Sequence, residues 1–115
     1  MKYMLLIYAE ESAWAALSPD QVAQEMGAYF AYSDALGKAG VMVGGDELQP
    51  VATAKTVAVR GGAAEVVDGP FADIKEALGG YYLIECESME DAVRWAAQCP
   101  GARHGRVEVR PVMAH

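Results

Sequence analysis

The chain has 115 residues, 53% hydrophobic and 22% charged, enough for one domain, spanning 1–115, around one core. Its 16 acidic and 9 basic side chains leave a formal charge of −7, which repels a phosphate backbone, and no basic stripe offsets it, so nucleic acid is excluded as a partner. No run of 18 apolar residues is present, so no membrane-spanning helix is expected.

Lys2 to Ala9 reads as a strand, with Tyr3, Leu5 and Ile7 on one face and Met4, Leu6 and Tyr8 on the other. Both faces are apolar, so both need cover. The segment ends at Glu10-Glu11 without a small-residue cleavage pattern, which argues against a signal peptide. Ser18-Pro19-Asp20-Gln21 is a capping box with Pro at the first helical position. Val22, Met26, Tyr29, Phe30, Ser33 and Leu36 follow at helical spacing, and Gly40 is the expected stop.

Val41 to Val43 is read as a short strand ending at Gly44-Gly45. Lys55 to Val59 and Ala64 to Val67 flank Arg60-Gly61-Gly62-Ala63, a hairpin pattern. Asp68-Gly69-Pro70 turns the chain out of it, and Phe71 to Leu78 fits a loop or two turns of helix. Gly80 to Glu87 reads as a strand. Ser88-Met89-Glu90-Asp91 opens a helix with Ala92, Val93, Ala96 and Ala97 on its inner stripe, ended by Pro100-Gly101. Arg106 to Val112 is the last strand, with Val107 and Val109 toward the core and Glu108 and Arg110 away from it. Cys86 and Cys99 fit neither a CxxC pair nor a zinc site; free buried thiols in a cytoplasmic protein are expected.

This order is β-α-β, a hairpin insertion, then β-α-β: an α+β chain with the split βαβ pattern of the ferredoxin-like fold. Two helices cover only one face of such a sheet. The apolar second face predicts a homodimer with sheets packed face to face.

The run Asp68-Gly69-Pro70-Phe71-Ala72-Asp73-Ile74-Lys75-Glu76, with Gly79-Gly80-Tyr81-Tyr82 after it, resembles the signature of the YCII-related, or DGPF-domain, family. Val107-Glu108-Val109-Arg110-Pro111, Leu5-Leu6-Ile7-Tyr8 and Gly40-Val41-Met42-Val43-Gly44-Gly45 extend the likeness over almost the whole chain. The resemblance implies a ferredoxin-like domain paired as a dimeric α+β barrel. One branch of the family includes a lyase that removes chloride from a chlorinated hydroxyhydroquinone. Another has a His–Asp pair with its His on the first helix; this chain has Tyr29 at that spot, and its histidines, His104 and His115, lie elsewhere. The family also occurs beside extracytoplasmic-function sigma factors.

Two functions follow as expectations. The first is a small-molecule-binding protein, a cofactor-free lyase or isomerase acting on a small polar or phenolic compound. Asp68 is its candidate catalytic acid–base group, with Phe71, Lys75, Tyr82, Glu108 and Arg110 as substrate-binding residues. The second is a regulatory module that partners a sigma factor, in which the same residues are structural. Asp68 then caps its own turn, Lys75 and Glu76 are a solvated pair, and Glu108 and Arg110, about 6.8 Å apart along the strand, form an ion pair. Tyr8, Tyr29, Tyr81 and Tyr82 read as pocket walls or as core tyrosines with satisfied hydroxyls. The acids Asp46, Glu47, Asp68, Asp73 and Glu76 lack a metal-ligand spacing, so no metal is expected. Asp68 and Arg110 are expected to approach across a shared polar cavity.

Overall fold

The alternation of apolar residues in Lys2–Ala9 makes β1 the centre of a sheet in the computed structural model, which describes residues 1–115. β1 (Lys2–Ala9) has β5 (Ala77–Glu85) on one side and β6 (Arg106–Pro111) on the other. β2 (Met42–Glu47) extends the sheet beyond β5. The order is β2-β5-β1-β6, every neighbour antiparallel. This is the ferredoxin-like topology of an α+β fold.

Two long helices lie on one face. α2 (Pro19–Lys38) starts at the expected capping box: Ser18 Oγ accepts from Gln21 N at 3.2 Å, and Gln21 Oε1 accepts from Ser18 N at 2.9 Å. α3 (Met89–Gln98) starts at Ser88, whose hydroxyl accepts from Asp91 N at 3.1 Å. Tyr3, Leu5, Ile7, Tyr82 and Ile84 of the sheet meet Tyr32 and Leu36 of α2, Ala92 and Ala96 of α3, and Cys99. Each fully buried Leu or Ile side chain contributes about 1.5–3 kcal/mol. Tyr32 donates to Trp95 O at 2.7 Å, and Ser33 shares a 2.8 Å bond with the Tyr82 hydroxyl, so these core phenols are satisfied. The Tyr32 and Tyr82 rings meet edge to face, 5.2 Å apart.

Several local readings change. A short helix, α1 (Glu11–Ala15), follows β1, and a four-residue helix, α4 (Gly101–His104), follows α3; neither has the length to show a periodic pattern. β2 runs through Gly44 and Gly45 instead of ending there. Residues 71–76 form no helix, and β5 starts at Ala77, earlier than Gly80. The inward stripe of α2 is Val22, Glu25, Tyr29, Tyr32 and Leu36; Met26 and Phe30, counted as inward from the sequence, lie one position round and stay exposed. On α3, Val93 is likewise exposed, and Trp95 joins Ala92 and Ala96.

β3 (Lys55–Arg60) and β4 (Ala63–Asp68) form a separate two-stranded hairpin. Gly61 and Gly62 both have positive φ, 57° and 79°, the backbone a two-residue hairpin turn demands. One face carries Val57, Val59, Ala64 and Val66, and no residue of either strand is buried. The hairpin stretches the chain to a radius of gyration of 16.0 Å, against about 13 Å for a compact domain of this length. The molecule is a slab of 48 × 44 × 18 Å: one sheet, one layer of helices, and an open sheet face.

Burial pushes the Tyr29 and Tyr32 phenols well above the ordinary 10.0, with the neighbouring Cys99 thiol adding to the effect, and raises Tyr82 as well against the opposing pull of its Ser33 bond. The unfolded chain therefore ionises these groups near pH 10 while the fold keeps them neutral. Their stabilisation is complete below pH 10 and is lost as pH rises past it. Urea midpoints measured from about pH 8 to 11 should fall above pH 10, and less steeply in Tyr29→Phe. A flat alkaline limb would contradict burial as the cause.

Candidate functional site

The side chains expected to make a site fall in separate places. Asp68 closes the base of the hairpin, exposed, where its Oδ1 accepts from Lys55 Nζ at 2.5 Å rather than from the backbone of its own turn. Phe71 is 91% exposed and touches no core. Tyr82 is buried in the core, its hydroxyl on Ser33, so it is a packing residue and lines no groove. Glu108 and Arg110 pair with each other on the open sheet face, Arg110 Nε donating to Glu108 Oε2 at 2.8 Å. Asp68 and Arg110 thus hold different partners and do not meet within one chain. Lys75 points to another place, its Nζ 3.6 Å from Glu10 Oε1.

That contact marks the rim of a groove of about 570 Å³ at the end of the sheet where β1 finishes and β6 begins. Glu10, Ala13, Glu76, Arg103, His104, Gly105 and Arg106 line it. Four segments contribute. Glu10 and Ala13 come from the start of α1, Glu76 from the strand entry to β5, Arg103 and His104 from α4, and Arg106 from the first residue of β6. Glu25 of α2 stands behind His104, with Nε2 and Oε1 2.9 Å apart. A carboxylate can only accept, so this bond places a proton on Nε2, and in the neutral ring Nδ1 is then the acceptor.

The groove's polar groups are unevenly satisfied. Arg106 Nε reaches Glu76 Oε1 at 3.4 Å, a long contact. Glu76 Oε2 is buried with no donor. Arg103 has no carboxylate within ion-pair reach. No group of three or more His, Cys, Asp or Glu side chains is gathered at metal-ligand spacing. A second hollow, about 480 Å³ beside Trp95, is lined by Glu85, Glu87 and Asp91, and its one cation, Arg94, is already paired with Asp91. Free donors and acceptors converge in the first groove and not in the second.

α4 reaches the groove because two glycines let it press on β1. A Cβ on Gly101 would stand 2.6 Å from Ile7 Cγ2 and 2.8 Å from the Tyr29 hydroxyl. One on Gly105 would stand 2.0 Å from the Tyr8 carbonyl oxygen. Sequence reasoning chose none of Arg103, His104 and Arg106 as a site residue and found no histidine–acid pair. The pair exists with its members exchanged: the acid sits on the long helix, one turn before Tyr29, and the histidine comes from 79 residues further on. An acid on the inward stripe of α2 was the signal that could have found it.

A family model described as the YCII-related domain matches residues 1–115. An uncharacterized protein of Rhizobium meliloti (strain 1021) is 35% identical over 117 residues, covering 97% of this chain and 92% of its own. Among solved structures, a 5-chloro-2-hydroxyhydroquinone dehydrochlorinase of Burkholderia phenoliruptrix, in complex with 2,5-dihydroxybenzoquinone, superposes with a TM-score of 0.55. The match covers 100% of this chain and 96% of that one at 14% identity, a likeness of fold.

The two glycine classes give opposite expectations. Gly105→Ala should lower stability by about 1–3 kcal/mol, because backbone blocks its methyl. Gly27→Ala, within α2 and with nothing inside 4 Å of the added Cβ, should raise it by about 0.5–1 kcal/mol. Urea denaturation of both variants checks this. A neutral Gly105→Ala would mean that α4 does not sit against β1.

Proposed function

The chain belongs to the YCII-related domain family, and on that premise we propose that it is a homodimeric small-molecule-binding protein. Its chemistry is cofactor-free lyase or isomerase work on a small polar or phenolic compound, held in the groove at the β1–β6 end. The observation that carries this is the convergence of Glu10, Glu76, Arg103, His104 and Arg106 on one hollow, with Lys75 against Glu10 and a histidine already oriented by Glu25. An imidazole oriented by a carboxylate beside free guanidinium donors suits proton transfer on an anionic compound. The dehydrochlorinase of like fold acts on a small hydroxylated substrate, which supports the reading. No observation favours docking on a sigma factor.

The homodimer rests on the open sheet face. Met4, Leu6, Tyr8, Tyr81 and Leu83 lie there half-buried, with no layer over them. An antiparallel sheet tolerates water on one face, but this face is apolar where a solvated one alternates to polar. A second copy with the same stripe covers it by two-fold symmetry. The shared cavity expected of Asp68 and Arg110 would in such a dimer have to form between subunits, with the Lys55 and Glu108 partners seen within one chain releasing them.

Two measurements test this. Light scattering at micromolar concentration should give twice the 12.3 kDa chain mass, and Leu83→Lys should give the single mass with far-UV dichroism unchanged. A monomeric parent would remove the dimer. A thermal-shift screen of small carboxylates and phenols should return at least one saturable stabiliser, since a ligand of the native state raises the midpoint by mass action. Failure of every compound would remove the small-molecule function.

A further inference from the structure

The groove's unsatisfied groups describe the ligand that fits them. Arg103 offers all five guanidinium N–H donors and Arg106 all but the one held loosely by Glu76. Against this donor excess stand two free acceptors, Glu76 Oε2 and His104 Nδ1. Glu10 is engaged by Lys75, and Glu25 by His104. Three carboxylates face three permanent cations, so bulk attraction does not select the ligand; directional bonds do. The complement of this set is a molecule with a strong two-oxygen acceptor at one end and a hydroxyl donor near it.

The lining also decides between a polar and a phenolic skeleton. Ala13 is the one apolar side chain in the wall. An aromatic ring would gain almost no apolar contact there and would strip water from charged groups without repaying them. A short aliphatic skeleton avoids that cost. Glu76 Oε2 is buried in the empty groove, but the last torsion of a glutamate is soft, so a modest rotation presents it to a hydroxyl.

We propose that the groove binds a small aliphatic hydroxycarboxylate. The guanidinium groups of Arg103 and Arg106 hold its carboxylate, and its one hydroxyl proton is shared in a three-centre bond between two facing acceptors, Glu76 Oε2 and His104 Nδ1. Glu25 acts through His104 as a positioning residue, fixing the tautomer that leaves Nδ1 free. This rests on the groove reading above and narrows it from polar or phenolic compounds to one class.

Titration calorimetry on the full chain tests it, with malate and lactate as probes, succinate and propionate as their counterparts lacking the hydroxyl, and hydroquinone as the phenol. Malate or lactate should bind at least about tenfold more tightly than its counterpart, the scale of one charge-assisted hydrogen bond. Arg106→Gln and Arg103→Gln should each weaken binding by about tenfold or more. Lys38→Gln, which removes an equal charge from an exposed helical pair far along α2, should leave it unchanged. Glu25→Gln should shift the pH profile of binding, whereas a merely structural Glu25 would lower stability and leave that profile in place. Equal binding of succinate and malate would overturn the hydroxyl recognition and with it the proposal. Binding of hydroquinone alone would overturn the class yet leave the small-molecule function standing. Failure of all five compounds overturns the class as well, and the broad thermal-shift screen then decides whether the small-molecule function survives.

Discussion

A central strand that is apolar on both faces governs this molecule. β1 places Tyr3, Leu5 and Ile7 against the helices and Met4, Leu6 and Tyr8 on the other side. The first set drives α2 and α3 onto the sheet, with Leu5, Leu36 and Ile84 cut off from water. The second has no partner within the chain. Only 13 of 115 residues are buried, fewer than a chain of this hydrophobicity can hide, and the shortfall lies in the open sheet face and the hairpin. The hydrophobic effect acts on area left wet, so the need that the proposed second copy would answer is set by β1 itself.

The groove depends on the same strand. β1 ends at Ala9, and Gly105 crosses its last turn closely enough that no side chain fits between them. That approach swings α4 inward and brings Arg103 and His104 over the sheet end. Arg106 follows at once as the first residue of β6, paired with Tyr8. Glu76 arrives from the strand entry on the far side of β1, since β5 flanks it opposite β6. Side chains from distant parts of the sequence meet because both neighbours of one central strand begin or end there.

The topology was legible in the sequence because local signals agreed with the global pattern. Two capped helices, a Gly-Gly hairpin turn and a two-faced first strand leave few alternatives to a split βαβ sheet. What was not legible depended on phase and distance. Met26 and Phe30 fit the helical spacing but miss the core by one position on the wheel, and the sheet, not the spacing, sets that angle. α1 and α4 are too short for a period. Within the candidate site, Lys75 was read in the right neighbourhood, from the segment that also carries Glu76. Asp68 and Tyr82 were chosen for residue type beside a turn and a glycine pair. The first found a local lysine and the second a place in the core. The Glu25–His104 pair was missed, because no local pattern reports a contact between α2 and α4, 79 residues later, and an acid on the inward stripe of α2 was its one trace.

The two unfinished surfaces are not independent. Arg106, Glu108 and Arg110 stand in a row on the open face of β6, and Arg106 is also a wall of the groove. β6 is an edge strand, and charges along an edge discourage further strand pairing. In the proposed dimer, a subunit laid on the apolar stripe of Met4, Leu6 and Leu83 would meet this charged row at its margin. A guanidinium held by one long contact to Glu76 gains more from an anionic ligand when water is excluded nearby. Arg106 stands on the open face and in the groove wall, so on that proposal dimer formation and ligand binding would favour one another through it.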